Sequence, residues 1–437
     1  MVTYNKGAYL FLITLVVSLG GLLFGFDMAV VSGVLPLLKK QFSLSAALEG
    51  WFVSSALVGC IIGVAISGEL SDRLGRKKPL ILAALLFLLS ALGCSMLPSL
   101  PGIIAARVMG GIGIGLASNV VPLYISEIAP SHIRGRLVTY YQLAVTLGIL
   151  VAYLTNSALL NYGAAHVNDA AGWLHTLLVD EVWRGMFAVG VIPAALFFLG
   201  LFIVPESPHW LNQQPDERIS YRTLLQPQWR KALIIGILLP LFSQFSGINA
   251  IIYYGPSILN NAGVSLSNSL LSQIVFGGAN MLFTLIAIWK VDSLGRRPLY
   301  LIGTAGATIS LLLTGICFFA GATTGWALLV CVLAFLASFA FSIGPLKFVV
   351  ASEIFPGPIR GRAMAISIMV MWIADTMVGQ LTPILLKTIG TACTFWLFAG
   401  FCLIAFITVY KLLPETKGRS LEQIEKDWKN LSPNPTT

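Results

Sequence analysis

Charged side chains buried in apolar runs are the residues whose chemistry needs explaining first. The stretch GLLFGFDMAV at 21–30 carries Asp27, and the apolar run 102–124 carries Arg107. A carboxylate or guanidinium in hydrocarbon is costly, and it marks a functional site whose partner is an opposite charge. Counted from the expected run ends near Val34 and Gly102, Asp27 and Arg107 lie about 10 and about 8 Å deep at 1.5 Å per residue. That is one layer, so the two can pair. Pairing favours an ionised carboxylate and an apolar surrounding favours a neutral one, so a carboxylate that gains and loses its arginine can release and take up a proton. The alternative is a static ion pair that holds two helices together. Lys347 and Asp375 are a second charged set, about 10 and about 21 Å from the inner ends of their runs. Their side chains can meet through water, or the lysine can snorkel while the carboxylate sits in a wet cavity.

These charges are rare in their surroundings. The chain has 437 residues, 57% hydrophobic and 10% charged, with mean hydropathy +0.86, a composition that no water-soluble globular protein approaches. Runs long enough to cross about 30 Å of hydrocarbon fall at 9–34, 48–70, 79–97, 102–124, 137–160, 183–204, 231–257, 268–290, 298–320, 326–352, 362–386 and 391–412. An all-α membrane protein of twelve spans is expected, in the lipid bilayer of the inner (plasma) membrane. If the first span starts inside, most of the 27 Lys and Arg fall cytoplasmic and only Lys39, Lys40, Arg184 and Lys387 fall outside, as the positive-inside rule requires. Both termini are then cytoplasmic. The net charge of +9 spreads over many short loops facing anionic lipid, for which a nucleic-acid partner is a poor explanation, and none is expected. The six cysteines lie in or beside apolar spans without metal-like spacing and read as small buried hydrophobes. No cleavable signal peptide is expected before the first span.

Three motifs occur twice, in the same order. GELSDRLGRKK at 68–78 is echoed by KVDSLGRRP at 290–298, YISEIAPSHIRGR at 124–136 by VASEIFPGPIRGR at 350–362, and PESP at 205–208 by PETKG at 414–418. An even number of spans per copy makes the repeats parallel. Two six-helix bundles are expected, 1–204 and 231–413, joined by a cytoplasmic segment 205–230 and followed by a tail 414–437. The motifs place acids beside arginines at helix ends: Asp72 with Arg73 and Arg76, Glu127 with Arg134 and Arg136, Asp292 with Arg296 and Arg297, Glu353 with Arg360 and Arg362. Glu206 belongs to the PESP copy. Such pairs can clamp the halves on the inside, or simply mark topology and cap helices.

Taken together, the chain resembles the major facilitator superfamily and, within it, the sugar porter family. The D-R-x-G-R-[RK] loop carries the superfamily resemblance. PESP, the two R-G-R motifs, QFSGINAIIYY at 244–254 and PETKGRSLEQIE at 414–425 carry the sugar-porter one, which spans essentially the whole chain. The connection 205–230 is shorter than the family usually has, and His209 stands where the family has arginine. The resemblance implies alternating access by a functional monomer and a gating role for the acid–arginine motifs. It also implies proton-linked sugar transport, because proton-coupled members carry an aspartate at the Asp27 position.

Polar side chains inside the spans point the same way. Gln142, Gln244, Asn249 and Asn280 each offer donors and an acceptor together, which suits a neutral polyhydroxylated ligand; the alternative is that they glue helices to one another. Phe24, Phe348 and Trp372 add apolar faces. By resemblance the four amides match sugar-contacting positions, and Tyr253 and Tyr254 match an outer gate beside Gly247. Ser243, Phe348, Met371 and Asp375 depart from the family's usual residues, leaving pentose, hexose, polyol or inositol open. A facilitative uniporter and a transporter-like sensor are the rival functions, although a tail of about 24 residues after Pro414 is short for signalling. No cofactor, metal site or enzyme is expected: His132, His166, His175 and His209 are scattered, and GGIGIG at 110–115 reads as close helix packing.

Overall fold

Long apolar runs in lipid leave the backbone no hydrogen-bond partner except itself, so they form helices. The computed structural model describes residues 6–130, 134–167, 172–211, 226, 229–261, 265–322, 326–355 and 360–416. Among these, twelve helices are long and apolar enough to cross a membrane. They are α1 (Lys6–Phe42), α2 (Ala46–Leu74), α3 (Lys77–Met96), α4 (Leu100–Ile128), α5 (Arg134–Ala165) and α6 (Val182–Gly200). The second set is α7 in two segments (Arg230–Phe245 and Ile248–Asn261), α8 (Leu266–Leu294), α9 (Arg296–Phe319), α10 (Trp326–Ser338, continuing through a wider π-turn at Phe339–Ile343 into Gly344–Ile354), α11 (Arg360–Thr388) and α12 (Gly390–Leu412). By the alternation of the spans along the chain, the duplicated loops fall on the side from which α1 starts, and this side is called the basic face below.

Several helices outrun their apolar stretches, because a helix that leaves the hydrocarbon keeps its hydrogen bonds. The largest difference is α1, which runs to Phe42 rather than ending near Val34. Asp27 therefore sits in mid-helix, about 22 Å from the helix end. Ser45 and Ser99 start α2 and α4 by accepting from the amides of Leu48 at 3.3 Å and Gly102 at 3.4 Å, the usual role of an N-cap serine. The GGIGIG stretch packs α4 on α2: a Cβ at Gly59 would stand 2.9 Å from the Gly111 Cα, and one at Gly63 2.9 Å from the Gly115 Cα.

Packing groups the chain into two compact units. The first holds 1–213, 249–281 and 379–384; the second holds 214–248, 282–378 and 385–437. The first unit thus includes the second segment of α7 and a short piece of α11. All six cysteines are free. Cys60, Cys94 and Cys402 are buried, but Cys393 is exposed and Cys317 and Cys331 are half-buried, so the expectation of buried cysteines fails for these three. They lie on α9, α10 and α12, where a small apolar side chain can face lipid as readily as protein.

Candidate functional site

In the first unit, Arg107 is 1% exposed and its Nη1 lies 3.8 Å from Asp27 Oδ1. The pair is loose. Asp27 Oδ2 and Arg107 Nη1 have no hydrogen-bond partner, while the guanidinium is held from its other side: Nε donates to the Phe52 carbonyl at 3.2 Å, and the Phe52 and Phe187 rings lie 5.2 and 5.9 Å away. The arginine is anchored and the carboxylate is the freer member. Asp27 also borders a cavity of about 20 Å³ with Phe26, Phe87, Ser90 and Phe187 among its walls, room for a single water.

The other first-unit residues singled out from the sequence lie on four helices. Phe24, Gln142 and Asn249 are half-buried, on α1, α5 and α7. Asn280 is 9% exposed on α8. Tyr253 and Tyr254 are buried, the first donating to Met28 Sδ at 3.1 Å and the second to the Gly379 carbonyl at 2.5 Å. Beside them Ser54 donates to Gln380 Oε1 at 2.9 Å and Gln380 Nε2 donates to the Ala47 carbonyl at 3.1 Å. The tyrosine segment is therefore fastened to the middle of α1 and to the α11 piece, and the α11 piece to the start of α2. Ser54 and Gln380 were missed in the sequence because polar residues near a span end are common.

In the second unit, Gly247 ends the first segment of α7 (φ 83°), and Gln244, Trp372 and Asp375 are buried. Lys347 Nζ donates to Ser243 Oγ at 3.2 Å, and Asp375 lies within Coulombic reach of the same ammonium. Lys347 is thus held inside the helix bundle, 9% exposed, and does not snorkel. The side chain of Phe348 lies outside the described residues.

Among the described basic-face side chains one expected pair, Asp72 with Arg76, is present and others join it. Glu127 takes Arg76, at 3.1 Å from Nε to both oxygens and 2.8 Å from Nη2, and also accepts from Ser207 Oγ. Asp72 is a weaker second partner of Arg76 at 3.5 Å, and Arg73 pairs with Glu69 at 2.6 Å instead of with Asp72. Glu353 takes Arg296, at 3.2 Å from Nε to both oxygens and 2.8 Å from Nη2, and accepts from Thr416 Oγ1 at 2.6 Å. Arg297 donates to the Tyr410 carbonyl at 2.6 Å. The reason is three-dimensional: the α2–α3 turn sits against the end of α4 within its unit, and the α8–α9 turn against the end of α10, so the nearest acid is on another helix. The side chains of Arg134, Arg136, His209, Asp292, Arg360 and Arg362 lie outside the described residues. Glu206 caps α3, accepting from the amides of Arg76 at 2.8 Å and Lys77 at 3.2 Å. Glu415, which the duplicated PES/PET motif could have flagged, caps α9 in the same way.

The chain thus joins charges anchored inside membrane helices, a broken α7 and an acid–arginine cluster present in both units. The model of the family described as Sugar (and other) transporter matches residues 13–220 and again 212–428. The chain belongs to that family. It is 39% identical to the arabinose-proton symporter of Bacillus subtilis (strain 168), over 96% of this chain and 95% of that protein. It is 37% identical to the D-xylose-proton symporter of Escherichia coli (strain K12), over 98% and 97%. A solved structure of the xylose transporter XylE from E. coli in an inward-open conformation matches with a TM-score of 0.80 at 37% identity, covering 96% of this chain and 100% of that one. The two family matches coincide with the duplicated motifs, so the internal repeat and the transporter fold are one observation.

Proposed function

We propose that this protein carries a neutral monosaccharide across the inner membrane together with a proton, and that the sugar is a pentose. The observation that carries the proton part is the loose Asp27–Arg107 pair, 3.8 Å apart, with a carboxylate oxygen left unbonded. When a helix movement parts the two, the carboxylate loses its counter-charge in a poorly solvated site and takes a proton; when they meet again it gives the proton up. The adjacent cavity leaves room for the water that delivers it. Pentose is inferred from the two symporter relatives.

Gln142, Asn249 and Asn280 supply hydroxyl contacts from the first unit, with Phe24 as an apolar face. Gln244, Phe348, Trp372 and Asp375 are assigned the same task in the second. Tyr253 and Tyr254 act as the gate away from the basic face. The clusters built on Arg76–Glu127 and Arg296–Glu353 act as the gate on the basic face, which we assign to the cytoplasm. The two sequence repeats, 1–204 and 231–413, are the moving bodies of a functional monomer.

The test is uptake into proteoliposomes of radiolabelled arabinose, xylose, glucose and myo-inositol with and without an inward proton gradient. Gradient-driven accumulation of a pentose is expected. Equilibration that ignores the gradient would make the protein a uniporter, and no saturable movement of any of the four would remove the sugar reading.

A further inference from the structure

Two amides outside the assigned residues are fully buried: Asn156 on α5 and Gln273 on α8. Asn156 Nδ2 donates to the Val30 carbonyl at 3.1 Å, yet its Oδ1 has no partner, and neither Oε1 nor Nε2 of Gln273 has one. Buried side-chain amides are normally satisfied, so both need an account.

The register of α5 against α8 puts them at one height, Asn156 against Val30 and Gly33 of α1 and Gln273 against Gly255 of α7. Ser267 Oγ donates to Asn161 Oδ1 at 3.3 Å, and the Tyr153 ring lies so close to Gly277 that a Cβ there would stand 2.8 Å from it. The two helices run in opposite senses, so moving from the Tyr153–Gly277 contact toward Asn161–Ser267 brings Asn156 level with Gln273. Three unmet polar atoms share that layer. One wall is the second segment of α7: Gly255 backs directly onto the Gln273 amide, and the Ile252 carbonyl accepts from Tyr153 at 3.5 Å. Two acceptors and one amide donor are the complement of a hydroxyl group, which both gives and takes a hydrogen bond.

We propose that Asn156 and Gln273 form a hydroxyl-binding subsite in the first unit, about 10 Å farther along α8 from the basic face than Asn280, which fills when the second segment of α7 lifts off α8. Its occupant is a sugar hydroxyl on the way in, or a water. The sugar alternative rests on the transport reading above; the water alternative does not. In either case the subsite is closed while Gly255 sits on Gln273, and opening exposes groups that then gain partners.

The experiment uses Gln273→Met and Asn156→Leu, singly and together, in the full chain, with three readouts: half-saturation for arabinose, xylose and their single-deoxy analogues; thiol labelling at Ser54→Cys, which Gln380 covers in the closed arrangement; and thermal unfolding. A sugar occupant gives about a tenfold higher half-saturation for the parent sugar and loss of discrimination against one deoxy analogue. A water occupant leaves half-saturation unchanged and lowers Ser54→Cys labelling several-fold, because the open form loses its hydration. Unchanged half-saturation and unchanged labelling, with equal or higher thermal stability, would overturn the proposal and make both amides packing groups. Gln273→Asn keeps the amide but shortens its reach, and it serves in the same assays if the Met variant fails to fold. Wild-type protein that binds none of the sugars would sink the transport reading while the labelling readout still judges the subsite.

Discussion

Arg76 in the first unit and Arg296 in the second hold the same post. Each follows a glycine with positive φ, Gly75 at 85° and Gly295 at 88°; each stands at the start of one helix and forks onto a glutamate at the end of the next; and each has its own backbone amide capped by a second glutamate. A hydroxyl completes both sets, from Ser207 in one and Thr416 in the other. The membrane-embedded charges share no such pattern: α1 and α4 carry Asp27 and Arg107, whereas α7, α10 and α11 carry Ser243, Lys347 and Asp375. Among the described residues the capped arginine–glutamate cluster occurs in both units, whereas the loose carboxylate–guanidinium pair occurs in the first; under the proposed mechanism the clusters lock and release both halves and the single pair couples the proton.

Asp27→Asn tests that asymmetry with the largest expected effect. It should abolish gradient-driven sugar accumulation while leaving sugar exchange, measured by counterflow. A variant that still concentrates sugar would end the coupling assignment. Lys347→Met is the matching change in the second unit. It removes the ammonium within Coulombic reach of the buried Asp375 carboxylate, and a buried charge that loses a counter-charge destabilises the fold; thermal unfolding should show a loss of stability, partly restored by adding Asp375→Asn. Accumulation per proton should not change in whatever protein folds, and a change would give the second unit a coupling role too.

Neutralising the replicated glutamates should have smaller and unequal effects. The Arg76 and Glu127 side chains are 4% and 7% exposed, against 13% and 24% for Arg296 and Glu353, so water screens the second cluster better. Glu127→Gln should therefore shift the balance between open and closed basic faces more than Glu353→Gln, read by thiol labelling on that face. Equal shifts would mean that burial does not set the strength of these locks.

The twelve helices, their order and the repeat were legible in the sequence because hydropathy over about 20 residues and duplicated motifs are chain-local signals. Asp27 and Arg107 were legible as a pair because each is nearly the sole charge in its run. Asp72 beside Arg76 was legible from the loop; the closer contact of Arg76 with Glu127 was not, since the two lie 51 residues apart and the fold brings the α2–α3 turn across to α4. Asn156 and Gln273 were missed for a different reason. A lone amide in a span looks the same whether it faces a neighbour, a ligand or nothing, and only the register of α5 on α8 separates these cases.

The smallest effect comes from the two glycines. A residue with a Cβ at φ near 85° and an extended ψ, a region that glycine alone adopts readily, carries a strain of about 1–3 kcal/mol, common to Gly75→Ala and Gly295→Ala. Steric cost separates them. A new Cβ at Gly75 would run into the Glu206 carboxylate, which is tied to the amides of Arg76, Lys77 and Ser207 and has little freedom to retreat. At Gly295 the nearest oxygen of Glu415 would be 2.9 Å away, a smaller overlap than the one at Gly75, and that carboxylate is tied to the amides of Arg296 and Arg297. Gly75→Ala should therefore lower thermal stability more than Gly295→Ala, by about 1 kcal/mol, the net worth of one capping hydrogen bond. Gly75→Ala combined with Glu206→Ala removes both the obstacle and the cap. If the difference is steric, that pair of changes should cost less than the sum of the two alone; strict additivity would leave only the common backbone strain and make the two clusters equivalent in this respect as well.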